Sequence, residues 1–170
     1  MKRLTKPEGK YNLVIEEAPM PQPAPGEVRI KAVRSLISRG SEMGARYTRE
    51  HAVSPDIMGY SMAGTIDAVG EGVSHFAPGD RVVALAPHAE YTVRPAAVAG
   101  PDAQPRVVAL PDDVSWDRAP YHPLTAGSVT WVDAEKIGPS DTIVILGQGL
   151  VGSLMLQVMK ENGNGFVIAV

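Results

Sequence analysis

The sequence predicts an α+β protein in two parts. A β-rich part over residues 1–120 forms a barrel or sandwich, and residues 121–170 form one strand–turn–helix–strand unit. Three observations predict this. Short alternating runs are separated by turn residues roughly every eight to twelve positions, the spacing of all-β folds. Gly 17 and Pro 15 in 170 residues supply the punctuation that such turns need. After Pro111 the texture changes to longer apolar stretches with few breakers, and one of them runs straight into a glycine cluster.

Taken in order, Tyr11–Glu17 (YNLVIEE) is a strand, and Ala18–Gly26, which holds four prolines, is a turn-forming stretch. Glu27–Ser35 alternates Val28, Ile30 and Ala32 against Arg29, Lys31 and Val33, the period of a half-buried strand. Met62–Val69 (MAGTIDAV) is a strand whose small residues predict close packing. Gly70-Glu71-Gly72 and Pro78-Gly79-Asp80 mark turns on either side of Val73–Ala77, and Arg81–Leu85 and Glu90–Arg94 are further short strands. Ser115 is placed to cap a helical segment that opens Ser115-Trp116-Asp117-Arg118. Thr125–Ile137 reads as a helix closed by Gly138-Pro139. Asp141–Leu146 (DTIVIL) is a continuous apolar strand of the kind that parallel sheets bury on both faces. Ser153–Glu161 follows as an apolar helix ended by Asn162-Gly163-Asn164-Gly165, and Phe166–Val170 (FVIAV) is the returning strand. Two strands and one helix cannot cover both faces of a sheet. The outer face of DTIVIL and the edge of FVIAV are therefore expected to be bare, and the chain is expected to be a truncated portion of a longer one, inactive by itself.

Composition narrows the function. With 44% hydrophobic and 21% charged residues the chain is an ordinary globular one, and a net charge of −3 argues against a nucleic-acid partner. No apolar run approaches the roughly 20 residues of a membrane span, and the start MKRLTKP has no apolar stretch behind it to make a secretory signal. A cytoplasmic setting is expected. Cysteine is absent, which excludes disulfides, a thiol nucleophile and thiolate metal ligands. The four histidines, His51, His75, His88 and His122, include no pair at helical metal-binding spacing.

The glycine cluster reads G-x-G-x-x-G: Gly147, Gln148, Gly149, Leu150, Val151, Gly152. It follows a strand at once, opens a helix, and a second strand returns within about 30 residues, as a dinucleotide-binding fingerprint requires. Gly147 permits the tight turn, Gly149 lets backbone approach a pyrophosphate, and Gly152 lets helix and strand pack closely. The helix N-terminus offers amides and a positive dipole end to phosphate. The plainer reading is a tight strand–helix turn without ligand. The acidic residue that would bind the ribose falls just past Val170, so NAD and NADP stay undecided.

The segments PGEVRI (residues 25–30), GTIDAVGEGV (64–73), FAPGDRV (76–82), HAEY (88–91), Leu110-Pro111 and Ile143–Gly152 recur in a known order. The chain resembles the N-terminal half of the medium-chain dehydrogenase/reductase superfamily, the zinc-type alcohol dehydrogenase group with a GroES-like domain. That resemblance implies a GroES-like β-barrel over residues 1–120, and over residues 121–170 the first strand–helix–strand unit of a Rossmann domain. It implies hydride transfer between a nicotinamide (NAD or NADP) and a small alcohol, ketone or conjugated carbonyl, and a homo-oligomer for the full-length form.

Departures from the family pattern matter. Zinc-dependent members carry a Cys where this chain has Ser38, and Gly-His-Glu where it has Gly59-Tyr60-Ser61. One extra residue precedes Ser41. Hydroxyls are poor ligands for a cation that prefers thiolate and imidazole, so no zinc is expected. The resemblance makes Ser41 the hydroxyl that relays the alcohol proton, or else a turn or cap hydroxyl. Tyr60 is a hydrogen-bond donor to substrate oxygen in place of the metal, or an aromatic packed on the cleft wall. Thr125 lies beside the nicotinamide, or merely starts a helix. His88 reads as a strand-end residue. The rival class is a non-catalytic binding module. A co-chaperone is disfavoured because it has no use for Ile143–Val170.

Overall fold

The computed structural model describes residues 1–97, 106–163 and 165–170, and divides them into two compact units, Met1–Pro120 and Tyr121–Val170. Asn164, part of the helix stop read from the sequence, lies outside the described residues.

In the first unit, strand β1 (Lys2–Thr5) pairs antiparallel with β2 (Val14–Glu17). The strand expected from Tyr11 starts three residues later because Tyr11 takes a positive φ of 55°, which breaks extended backbone. Lys6 beyond β1 is 1% exposed, and its Nζ donates to the carbonyls of Pro7, Gly9 and His51. Its three donors are thus spent on backbone, which ties the N-terminal segment to the loop after residue 47.

The main sheet comprises β3 (Glu27–Ser35), β4 (Met62–Val69), β5 (Arg81–Ala84), β6 (Tyr91–Pro95) and β7 (Val107–Ala109), in the order β6-β3-β4-β5-β7. Every pairing in it is antiparallel. The α+β class read from the sequence holds. Val28 and Ile30 point into the core as their alternation requires, but the register against β4 slips at Arg29/Ile30 and again at Ala32/Arg34. Such bulges bend a strand and turn its later side chains outward. The small residues of β4 do pack closely: a Cβ at Gly64 would lie 2.1 Å from the Lys31 carbonyl oxygen.

Alternate residues of β4 and β5 feed two clusters. Met62, Ile66, Val82 and Ala84 join Val28, Ile30 and Val107 in one, while Ala63 and Val83 join Leu110 and Ala119 in the other. Arg81 closes the second. Its guanidinium lies 4.3 Å from the centre of the Trp116 ring and donates to the carbonyls of Pro111, Asp112 and Val114. The helix expected at Ser115 is only a turn, with the N–H groups of Arg118 and Ala119 donating to the Ser115 carbonyl, followed by a 3-10 turn at Ala119–Tyr121. Pro120 has no N–H to continue a helix, whereas Pro123 is tolerated in the first turn of the next one.

In the second unit, α1 (His122–Ala134) is followed by β8 (Thr142–Ile145), α2 (Leu150–Glu161) and β9 (Phe166–Ala169). β8 and β9 pair in parallel with Ile143 opposite Val167. Ile143, Ile145 and Val167 pack with Val132, Val158 and Met159 of the helices. The other face is bare: Val144 is 53% exposed, Leu146 80% and Phe166 69%. The continuous apolar run of β8 is therefore covered on one side only, as expected for DTIVIL beside a single covering helix. No helix of the described residues is long and apolar enough to cross a membrane.

Candidate active site

The segment after β3 is built around one carboxylate. Arg39–Gly44 forms a π-helical turn, with the Tyr47 N–H donating to the Glu42 carbonyl five residues back at 2.8 Å. A π turn accommodates one more residue than an α turn, and it lies where the sequence carries one residue more than the family pattern. Ser38 caps the turn. Its Oγ accepts from the Ser41 N–H at 3.4 Å, and Glu42 reaches back to accept from the Ser38 N–H at 2.7 Å. This reciprocal bonding is a capping box stretched by one position.

Glu42 is fully buried, and two further donors converge on it. Tyr47 Oη and His88 Nε2 each lie 2.7 Å from Glu42 Oε2. The other imidazole nitrogen, Nδ1, lies 2.9 Å from Ser35 Oγ, so a Ser35–His88–Glu42 array runs from an exposed hydroxyl to a buried carboxylate. Burial pushes the Glu42 carboxyl up. The hydrogen bonds from His88, the Ser38 N–H and Tyr47, together with the His88 charge, outweigh it and hold the group below the ordinary value of 4.5. Burial, the hydrogen bond to Glu42 and its charge drive the Tyr47 phenol far upward, so it remains a donor.

The His88 ring packs on Gly59, where a Cβ would come within 2.8 Å of it, and Gly59 sits at a φ of +103°. Glycine is required there on both counts. Gly59 is followed directly by Tyr60, which is half-buried and lines an open cavity of about 410 Å³. The Tyr60 hydroxyl makes no hydrogen bond among the described residues and is free to meet a ligand in that cavity. Ser41 is exposed next to Glu42, its hydroxyl likewise uncommitted among the described residues.

The positions where relatives hold zinc are occupied otherwise. Ser38 Oγ serves as the cap, and Ser61, fully buried, donates to the Pro120 carbonyl. Among the described residues no group of three or more His, Asp or Glu is placed to hold a metal ion. This donor set does not fit zinc. His75 Nε2 lies 3.0 Å from the Ala96 carbonyl oxygen, and His51 is exposed.

In the second unit, the motif residues lie on the loop between β8 and α2. Gly147 takes a φ of +89° and its N–H donates to the Val170 carbonyl, which fixes the turn. Gly149 is the N-cap of α2 and no side chain caps the helix, so its first amides are left for a ligand. A Cβ at Gly149 would meet nothing within 4 Å, whereas one at Gly152 would lie 1.9 Å from the Gly147 carbonyl oxygen. Open space at the second glycine and contact at the third is the arrangement that a pyrophosphate cradle needs. Gln148 Nε2 lies 3.4 Å from the Ile145 carbonyl, while Leu150 and Val151 form the first turn of α2. The residues fit a dinucleotide. Thr125 Oγ1 donates to the Tyr121 carbonyl at 3.1 Å, the bond of a hydroxyl within its own helix.

Comparison with known proteins agrees with this geometry. Residues 24–100 match the alcohol dehydrogenase GroES-like domain. A zinc-type alcohol dehydrogenase-like protein of Schizosaccharomyces pombe is 28% identical over 96% of this chain and 50% of its own length. A solved mycobacterial structure complexed with NADPH is 26% identical and superposes with a TM-score of 0.79 over 99% of this chain and 52% of its own. The chain is similar along its length to medium-chain dehydrogenases/reductases, and its residues 24–100 carry the alcohol dehydrogenase GroES-like domain. An alcohol dehydrogenase from Thermus, 20% identical, shares the fold at a TM-score of 0.83 over 57% of its length. The chain thus spans about half the length of these superfamily members.

The superfamily pattern drew attention to Ser41, Tyr60 and the glycines. It did not point to Glu42 or Ser35, and it left His88 as a strand-end residue. One signal was legible, the Ser38/Glu42 spacing with the extra residue between. The partnership of Glu42 with His88 spans 46 residues and leaves no local trace.

Proposed function

We propose that the whole protein is a zinc-independent, NAD(P)-dependent oxidoreductase that reduces a small carbonyl compound or oxidises the matching alcohol. The observation that carries this reading is the Gly147–Gly152 loop, open at Gly149 and set on an uncapped helix. A bound nicotinamide supplies or accepts the hydride. Gly147, Gln148, Gly149, Leu150, Val151 and Gly152 hold its pyrophosphate, and Thr125 packs beside it. Tyr60 donates its free hydroxyl to the substrate oxygen, offsetting the charge that develops there, the task a metal performs in zinc-dependent members. Ser41 relays the proton. The Glu42–His88 pair fixes Gly59 and hence the Tyr60 backbone. A net charge of −3 supports a small-molecule partner over a nucleic acid. The proposal includes a cytoplasmic setting and a homo-oligomeric full-length form.

The test is deuteride transfer from 4-deuterated NADH or NADPH to a panel of carbonyl compounds, read by mass spectrometry on whole protein purified without chelator. Deuterated alcohol is expected from protein with no stoichiometric zinc by elemental analysis, and Tyr60→Phe should lower kcat by about a hundredfold, the scale of one lost catalytic donor. Turnover that tracks a full equivalent of zinc, or the absence of label from every product, contradicts the reading.

A further inference from the structure

The cavity that Tyr60 lines carries a charge pattern which hydride transfer does not explain. Arg46, Arg94 and Arg106 all border it, and among the described lining residues Asp56 alone opposes them. An excess of two positive charges is thus gathered in one cavity of a chain whose net charge is −3. Among the described residues none of the three arginines makes an ion pair. Arg46 Nη1 is buried with no hydrogen-bond partner among the described residues. Arg106 makes no side-chain bond there, and Arg94 donates only to the carbonyls of Leu85 and Val93. A buried guanidinium nitrogen left unbonded is costly, and native structures rarely retain one without a ligand or water to meet it. Burial holds the Arg94 guanidinium below its ordinary pKa, and Arg106 adds to this against the pull of Asp56.

We propose that this cavity is an oxyanion site, and that the substrate carries a carboxylate or phosphate group bound there by Arg46, Arg94 and Arg106. The assignment of the anion to the substrate rests on the oxidoreductase reading above; the site itself does not. Guanidinium forks match the planar pairs of oxygens that both groups present. Tyr60 lines the same cavity, so an anion held by the arginines would fix how the substrate lies against its hydroxyl.

Isothermal titration of the chain at constant ionic strength, with inorganic phosphate in one arm and succinate in the other, tests the site. Saturable binding of at least one anion is expected, and the preferred arm tells a phosphoryl-bearing substrate from a carboxylate-bearing one. Arg46→Gln and Arg106→Gln should each weaken it about tenfold, as loss of a charged hydrogen bond does. Phenylglyoxal modification of the unaltered chain, mapped by mass spectrometry, should show Arg46 and Arg106 protected by the same anion. Lack of saturable binding in both arms, unchanged affinity in both variants, or equal modification with and without anion overturns the proposal. Separate titration of the whole protein with NADH and NADPH distinguishes the two failures. Anion binding without nicotinamide binding upholds the site and removes the oxidoreductase reading; nicotinamide binding without anion binding does the reverse.

Discussion

Replacing Glu42 by Leu is expected to unfold or severely loosen the first unit. The substitution leaves three donors pointing at a hydrocarbon: the Ser38 N–H, the Tyr47 hydroxyl and the His88 imidazole. Each buried donor left without a partner costs roughly 1–3 kcal/mol, so the three together cost about 3–9 kcal/mol. Total stability is only about 5–15 kcal/mol, and the melting temperature should fall by on the order of 10 °C or more. A companion effect is set by pH. The folded Glu42 carboxyl titrates below its ordinary value, so it contributes stability above pH 4.5, the unfolded value. That stability is lost as pH falls through the lower folded value. Glu42→Gln should therefore show a flatter acid limb than the native protein. Calorimetry across pH checks both, and a melting temperature within a degree or two of native in Glu42→Leu would contradict the account.

A single methyl at Gly152 is expected to be as damaging to the second unit. Its Cβ would sit 1.9 Å from the Gly147 carbonyl oxygen and 3.1 Å from the carbonyl carbon, both backbone atoms. Neither can swing aside as a side chain does. The helix must move off the loop, and overpacking of this kind costs roughly 1–3 kcal/mol. Displacement of α2 also pulls Val158 and Met159 from Ile145, opening the cluster that holds the unit together. Gly152→Ala should speed hydrogen exchange throughout β8 while leaving β3 and β4 as slow as before. Equal protection of β8 in the variant and the native chain would show that the packing argument fails.

How much of this was legible in the sequence varied with the range of the interaction. The strand β3 and the β8–loop–α2 unit were readable because their signals are local: alternation at period two, and glycines at fixed offsets. β1 and β7 were not, since four and three residues carry no usable pattern and exist as strands only because β2 and β5 pair with them. The helix expected at Ser115 failed because Pro120 follows five residues after its cap and has no N–H to carry the helix on. The start of α2 at Leu150 rather than Ser153 reflects the motif itself, whose last glycine lies inside the helix. At the site, Tyr60 was found by its place in a pattern. Glu42, His88 and Ser35 were not, because their array joins β3, the following turn and the loop three residues before β6 across 46 and 53 positions. The three arginines of the cavity are likewise scattered along the chain, and only folding shows that they share it with Asp56 as the one acid among the described lining residues.

The central claim is that the Gly147–Gly152 loop holds a nicotinamide dinucleotide in the whole protein, and a titration of its Gly149→Val variant against the native whole protein tests it most directly. A Cβ at Gly149 meets no protein atom within 4 Å, so a branched side chain there fills the space proposed for phosphate without disturbing the fold. The account predicts an unchanged thermal transition and NADH or NADPH affinity lowered tenfold or more, about 1.4 kcal/mol. A folded Gly149→Val chain that binds the dinucleotide as tightly as the native one would contradict it.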